Sequence, residues 1–419
     1  MIVKPMIRSN ICINAHPAGC AQEVERQIAY LKMKNERRGR NPQKSIDKPP
    51  KAVLVLGCST GYGLASRISA AFGYGAATVG VSFEKEGTET KSGTPGWYNN
   101  KAFERAAAKA GLACKTINGD AFSDAVRSQI IDIAKEMNVT FDLVIYSLAS
   151  PVRTDPDTGV LYRSVLKPIG APYSGLTIDS MTGKIGTMSA EPATEEEAAQ
   201  TVKVMGGEDW ARWIKQLSAA GVLSDGCKTI AYSYIGPALS HAIYRDGTIG
   251  GAKKHLEKTA RALDAEMKKT LNGEAYVSVN KGLVTRSSAV IPIIPLYLSI
   301  LFKVMKEKGT HEGCIEQIER LFAERLYTGT SVPVDAEHLI RIDDRELDPI
   351  VQKEVDDRMA KIEGAYEETA GDEAAAAHVS ALIAEYADLD GYRHDFLAAN
   401  GFDVAGIDYA ADVPRMNTI

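Results

Sequence analysis

The chain has 419 residues, is 45% hydrophobic and 25% charged, and carries a formal net charge of −5. That is enough apolar content to bury an α/β core without covalent staples, and the mild acidity argues against a nucleic-acid binder, whose footprint is a basic patch. Its six cysteines (Cys12, Cys20, Cys58, Cys114, Cys227 and Cys314) show no CxxC spacing, so they read as reduced thiols of a cytoplasmic protein, with no metal site and no disulfide framework.

Met1 to Ala15 carries charged and polar residues where a secretory h-region would lie, so no leader peptide is expected. Residues 1–50 form a helix-containing lead-in. It turns basic between Lys32 and Lys51, a solvated face, and closes on a surface turn at Lys48-Pro49-Pro50. Ala52–Leu56 (AVLVL) is a continuous apolar run closed by Gly57, the pattern of a strand buried on both faces of a parallel sheet. Comparable runs follow at Ala76–Phe83, Phe141–Leu148, Lys228–Tyr234 and Ala275–Asn280.

Between these runs lie helical patterns at Tyr98–Ala110, Ala121–Met137, Trp210–Ala220 and Ala252–Leu271. In the last, Glu257–Arg261 and Asp264–Lys268 are spaced to pair on exposed faces. Strands alternating with helices predict a Rossmann-type, doubly wound parallel sheet, one catalytic domain spanning 1–419. Residues 151–201 interrupt the alternation. They are rich in Gly, Pro, Thr and Ser, and Leu176–Ser189 reads as a hairpin turning at Thr182-Gly183. The segment follows the C-terminal end of a strand, where open α/β sheets bind ligands, so it is expected either to cover the substrate or to be a packing insertion without substrate contact.

The most apolar stretch, Ala289–Phe302, is shorter than the ~20 residues of a spanning helix and contains Pro292 and Pro295, so a buried helix is expected, with no stable membrane insertion. Residues 309–419 form a charged, largely helical C-terminal region, strongest at Ala374–Tyr386 and loop-rich from Gly391 to Gly401.

The first strand runs into Gly57-Cys58-Ser59-Thr60-Gly61-Tyr62-Gly63. Gly57 suits a tight turn, Gly61 a close approach of backbone N–H groups to a pyrophosphate, and Gly63 close helix–sheet packing. Glu84 follows Gly63 by 21 residues at the tip of the second strand. Its carboxylate would accept the adenosine ribose hydroxyls and repel a 2′-phosphate, which favours NADH, although the adjoining Lys85 softens that preference. By topology, Asp120-Ala121 would flank the adenine and Ser147-Leu148-Ala149 the nicotinamide ribose.

Tyr244 and Lys253 form a candidate phenol–ammonium couple, in which the cation would lower the phenol pKa. They are nine apart, on opposite faces of any continuous helix. Convergence therefore requires Arg245–Gly251, with its three glycines, to be a loop that leaves Lys253 in the first turn of the next helix.

The Y-x8-K spacing, SYIG at Ser233–Gly236, GCSTGYGLASRI at Gly57–Ile68 and GWYNN at Gly96–Asn100 resemble one family. So do YSLASPVRTDP at Tyr146–Pro156, KVMGGEDW at Lys203–Trp210 and VNKGLVTRSSAVIPIIPLY at Val279–Tyr297. The family is that of the trans-2-enoyl-CoA reductases and the related FabV-type enoyl-acyl-carrier-protein reductases, and the likeness runs from Met1-Ile2-Val3 to GFDVAGIDY at Gly401–Tyr409. The resemblance implies Tyr244 as proton donor, Lys253 as its cofactor-binding partner and Tyr234 as a substrate contact. It implies a cofactor held by Gly57, Cys58, Ser59, Thr60, Gly61, Tyr62, Phe83, Glu84, Asp120, Ala121, Leu148, Ala149 and Lys253. Leu283, Val284 and Thr285 complete that set.

The expected reaction is NADH-dependent saturation of a trans-2-enoyl-CoA, with hydride delivered to C3. Acyl-carrier-protein reduction in fatty-acid synthesis is the first alternative and a short-chain alcohol or ketone dehydrogenase the second. A dinucleotide-sensing binding protein is the non-enzymatic reading, disfavoured by the intact Tyr/Lys pair. The resemblance also suggests a monomer.

Overall fold

The structure is a computed structural model and describes residues 2–8, 11–37, 48–286, 288, 291, 294–368 and 373–413. Part of the basic stretch before Lys48, and Pro292, lie outside these residues.

Seven parallel strands form the central sheet: β1 (Ala52–Leu56), β2 (Ala77–Ser82), β3 (Cys114–Asn118), β4 (Phe141–Tyr146), β5 (Leu223–Ser233), β6 (Glu274–Val279) and β7 (Leu339–Arg341). Their order is β7-β6-β5-β4-β1-β2-β3. The chain therefore winds outward through β2 and β3, then returns to start again at β4 beside β1. The crevice above the β1/β4 boundary is the switch point where such sheets bind ligands.

Strand pleating explains the continuous apolar runs. Val53 and Val55 face one layer, with α2 (Gly61–Ile68), α3 (Pro95–Lys109) and α9 (Cys314–Leu321), while Leu54 and Leu56 face the other, with α4 (Asp124–Glu136), α6 (Glu208–Ala219) and α7 (Thr248–Leu271). Alternate residues of one strand thus enter two separate cores, so both faces must be apolar. The lead-in helix α1 (Pro17–Arg37) packs on α3, and α5 (Glu195–Met205) packs on α7.

A third core lies beside the sheet. The apolar stretch becomes α8 (Ile294–Glu307), buried among α10 (Pro349–Glu367), α11 (Glu373–Tyr386) and α12 (Leu389–Ala398). No helix among the described residues is long and apolar enough to cross a membrane. The hairpin forms as expected, Tyr173–Ile178 against Ile185–Ala190, and lies on this third core through Ile178.

Three expectations need correction. Gly391–Gly401 is largely helix, because Asp388 caps the helix by accepting from Gly391 N at 3.0 Å and because Tyr392 and Phe396, four apart, are both buried. Glu257 is not on an exposed face; it is 5% exposed and pairs with Arg245 at 2.6 Å, while Arg261 donates to the Glu337 carbonyl at 3.3 Å. Asp264 does pair with Lys268 at 2.7 Å, but it is itself buried and also accepts Ala275 N at 3.2 Å. Finally, α7 begins at Thr248 and not at Ala252, with consequences for the site.

Candidate active site

Every residue of β1 is buried, and the chain leaves it by a left-handed turn at Gly57, φ +86°. A Cβ on Gly57 would sit 2.1 Å from the Ser147 carbonyl oxygen, and one on Gly63 would sit 1.9 Å from the Gly57 carbonyl oxygen. The first turn of α2 carries no acidic residue, and its N-cap Thr60 makes no side-chain capping bond. Its free N–H groups and the helix dipole therefore favour an anion. These residues fit a dinucleotide pyrophosphate.

The loop after β6 faces this turn, with the Thr285 Cγ2 atom 3.5 Å from where a Gly61 Cβ would stand. The β4 end is equally close, since Ser147 Oγ lies 3.2 Å from the Cβ position of Gly63. Three of the expected cofactor segments, 57–62, 147–149 and 283–285, thus lie against one another.

Just past the end of β2, the backbone of Glu84 is held on both edges by Asn118, whose Oδ1 accepts Glu84 N at 2.7 Å and whose Nδ2 donates to Glu84 O at 2.9 Å. The carboxylate of Glu84 accepts from Ser59 Oγ at 2.6 Å and lies 3.5 Å from the Arg286 guanidinium. Gly96 makes room for it: a Cβ there would come within 2.2 Å of Glu84 Oε1. Asn99 donates to the Ser59 carbonyl at 2.9 Å, and Asn100 donates to Ser82 Oγ at 2.9 Å. GWYNN therefore braces the glycine turn, and Asn99, Asn100 and Asn118 are supports of the candidate site that spacing did not single out. Asp120 closes a tight turn by accepting Phe122 N at 2.9 Å, and the carbonyl of Ala121 accepts Trp213 Nε1 at 3.0 Å. Phe83, beside Glu84, is 80% exposed.

Glu84→Gln removes the charge and keeps the shape. It is expected to narrow the NADH-over-NADPH preference in kcat/KM by about tenfold, about 1.4 kcal/mol of discrimination. Parallel steady-state assays with the two nucleotides read this directly, and an unchanged ratio would rule out the ribose role.

The catalytic candidates gather at the C-terminal end of β5. Gly236, φ +76°, turns the chain tightly around Tyr234; a Cβ there would be 2.9 Å from the Tyr234 ring. The Tyr234 and Tyr244 rings meet edge to face with centroids 5.3 Å apart. Lys253 Nζ donates to the carbonyl of Tyr232 at 3.1 Å, so all three side chains border the same strand end.

The stretch between Tyr244 and Lys253 is not the expected loop. The break in helical path falls at Tyr244–Gly247, and α7 is capped by Gly247. Gly250 and Gly251 are helical, placing Lys253 in the second turn of α7. Gly250 N donates to the Tyr244 carbonyl at 3.0 Å, and a Cβ on Gly250 would fall 1.9 Å from the Arg245 carbonyl. A glycine inside the helix lets the Tyr244 backbone lie directly on it.

Among the described residues nothing hydrogen-bonds the Tyr244 hydroxyl, and Lys253 does not touch it. Burial pushes the phenol pKa of Tyr244 up, opposite to the lowering expected from a neighbouring cation, so Tyr244 is a protonated donor at neutral pH. Burial also draws Lys253 down to about 8, against the opposing pull of Glu257.

Tyr234 is differently placed. Its hydroxyl donates to Glu346 Oε1 at 3.0 Å, Tyr297 donates to the same oxygen at 2.7 Å, and Gly282 N donates to Oε2 at 2.6 Å. Glu346 is fully buried, and burial raises its pKa while Lys281, Gly282 N and Tyr297 lower it. Sequence reasoning missed it: within RIDDRELDP it resembles one more solvated charge. The inserted segment packs beside this region. Lys167 O accepts Thr248 N at 3.0 Å, and the Thr248 hydroxyl donates to Val165 O. Ile178 shares a core with Tyr244, Ile249 and Leu283.

The family model described as the trans-2-enoyl-CoA reductase catalytic region matches residues 91–327, and the NAD(P)H binding domain of trans-2-enoyl-CoA reductase matches residues 2–89. A trans-2-enoyl-CoA reductase [NADH] of Treponema denticola is 61% identical, with all of both chains covered. An enoyl-[acyl-carrier-protein] reductase [NADH] of Cytophaga hutchinsonii is 51% identical, covering 100% of this chain and 99% of that protein. Among solved structures, the Treponema denticola trans-2-enoyl-CoA reductase in complex with NAD superposes with a TM-score of 0.91, at 60% identity and full coverage of both chains. The Clostridium acetobutulicum trans-2-enoyl-CoA reductase in complex with NADH gives 0.90, at 42% identity, covering 99% of this chain and 98% of that one.

A further model, described as an enoyl reductase FAD binding domain, matches residues 372–413. The described residues of that segment hold no strand, and Tyr392, Phe396 and Phe402 are spent packing in the α8 core. They offer no strand-to-helix glycine turn like that after β1. The segment does not fit a flavin, and no flavin chemistry is assigned to it.

Proposed function

The chain belongs to the trans-2-enoyl-CoA reductase family, and from that premise we propose that it reduces trans-2-enoyl-CoA to the saturated acyl-CoA with NADH, as one catalytic unit. The observation that carries the reading is the pairing of a glycine-turn groove with an uncommitted, protonated phenol at its β5 edge. The bound NADH supplies the hydride for C3 of the enoyl thioester. Tyr244 donates a hydrogen bond to the thioester oxygen as negative charge develops there and acts as the proton donor, and protonation at C2 completes the saturation. A preorganised donor in a buried site is worth ~3 kcal/mol in the transition state. Lys253 holds the nicotinamide ribose, Leu148 and Ala149 line its approach, and Tyr234 walls the thioester. The half-buried Leu166, Leu176, Met188, Leu239 and Val284, packed on the core beside Tyr244, supply apolar surface for an acyl chain beneath the inserted hairpin.

Coenzyme A is favoured as carrier by the 61% relative, and acyl-carrier protein is the second reading, favoured by relatives named for it at 50–52% identity. Matched crotonyl thioesters of the two carriers, assayed for NADH oxidation, decide between them; reduction of simple ketones but of neither thioester would overturn the proposal. Six free cysteines support a reducing, cytoplasmic setting, and the active form is proposed to be a monomer.

Lys253 also sets a pH dependence. Below its pKa of about 8 the ammonium donates to ribose hydroxyls; above it the proton, and with it the charge, is lost. KM for NADH is therefore expected to be flat below pH 8 and to rise above it, a limb that Lys253→Met should abolish in a pH series at saturating thioester.

A further inference from the structure

The buried carboxylate of Glu346 touches neither end of the expected reaction, yet it is joined to both sides of the site. Oε1 receives the Tyr234 hydroxyl at 3.0 Å and the Tyr297 hydroxyl at 2.7 Å, and Oε2 receives Gly282 N at 2.6 Å. Gly282 opens the 283–285 loop that faces the glycine turn, and Tyr234 packs on Tyr244. Gln352 Nε2 donates to the Tyr297 oxygen at 3.3 Å and to the Glu346 carbonyl at 2.6 Å, so the Tyr297 proton is directed at Glu346. Three donors thus converge on one carboxylate, which in its ionised form can only accept.

The polarity of these bonds has a consequence for Tyr234. A phenol has one proton, and that of Tyr234 is committed to Glu346; its oxygen retains only acceptor capacity toward the substrate side. Among the described residues, by contrast, nothing takes the Tyr244 proton. Resting on the reductase reading above, we propose that Glu346 is a positioning residue that fixes Tyr234 as a hydrogen-bond acceptor, leaving Tyr244 as the sole phenolic donor to the thioester oxygen. The two adjacent tyrosines are thereby made chemically unequal by a residue 112 positions further along the chain.

Glu346→Gln tests this because the surrounding bonds dictate how the amide lies. Gly282 N requires an acceptor, so the amide oxygen takes the Oε2 position and the NH2 takes the Oε1 position, facing both phenols. Tyr234 then receives a hydrogen bond where it formerly gave one, and its own proton is released toward the substrate.

Four full-length proteins are compared on crotonyl-CoA: wild type, Tyr244→Phe, Glu346→Gln and the double variant. NADH binding, followed by the nucleotide's fluorescence, verifies the fold of each. The expected result is that the double variant turns over at least tenfold faster than Tyr244→Phe alone, because Tyr234 can now donate. A double variant that binds NADH and is no faster than Tyr244→Phe overturns the proposal.

Tyr234→Phe supplies a second reading that does not depend on position 346. Loss of an acceptor and wall residue should raise KM for the thioester by a larger factor than it lowers kcat, whereas a kcat loss matching that of Tyr244→Phe would show Tyr234 donating and overturn the proposal. Failure of the underlying reductase reading looks different: wild type would not reduce crotonyl-CoA, whereas full turnover in Tyr244→Phe would leave that reading standing and overturn this proposal.

Discussion

Tyr244→Phe is expected to lower kcat on crotonyl-CoA by about 100-fold, about 2.7 kcal/mol of transition-state stabilisation, while NADH affinity changes by less than about twofold. The substitution removes one oxygen and nothing else. The edge-to-face contact with Tyr234 survives, and no hydrogen bond among the described residues is lost, so fold and groove should be undisturbed. Because the hydroxyl matters when charge forms on the thioester oxygen, its removal should appear in kcat and in kcat/KM alike, with little change in KM. Steady-state kinetics with a separate NADH titration measure both quantities. A loss confined to KM would assign Tyr244 to ground-state binding instead.

Gly63→Ala should be nearly as damaging, for a different reason. The residue lies inside α2 with no positive φ, so alanine costs nothing in local conformation and would ordinarily favour the helix. Its methyl group would nevertheless stand 1.9 Å from the Gly57 carbonyl oxygen. Both partners are backbone, so no side chain can swing aside; α2 must retreat from β1 and open the turn. NADH affinity is expected to fall by about 100-fold or more, ~2.8 kcal/mol. Gly364→Ala in α10, where a Cβ meets nothing within 4 Å, is the control, expected to stabilise by about 0.5–1 kcal/mol. Isothermal titration and thermal melts of the two variants should therefore diverge; equal NADH affinity in both would show that the turn tolerates the displacement.

The sheet and the glycine turn were legible because their determinants are local. A fully apolar five-residue run followed by spaced glycines has few other solutions, and β1, the turn and α2 lie where that pattern places them. Strand β7 was missed because three residues carry too little periodicity to read. Glycine was the misleading signal before Lys253. Three glycines in seven residues suggest a loop, yet Gly250 is in the helix because another stretch of backbone must touch it there. The same limit hid Glu346, whose meaning depends on Tyr234, Tyr297 and Gly282 arriving from three separate elements. Asn99 and Asn118 are of this kind too: each braces the groove through bonds to backbone distant in sequence. The inner pairing of Glu257 with Arg245 shows that helical spacing proposes partners but cannot rank them against a closer one from outside the helix.

The central claim is that Tyr244 and Lys253, nine residues apart and joined to the same end of β5, act on the same edge of the nicotinamide. A crystal structure of the enzyme with NAD and a saturated acyl-CoA product measures this most directly. The account predicts the Tyr244 hydroxyl within hydrogen-bonding reach of the thioester oxygen and the Lys253 ammonium on the nicotinamide ribose. A thioester seated away from Tyr244, or a ribose held without Lys253, would contradict it.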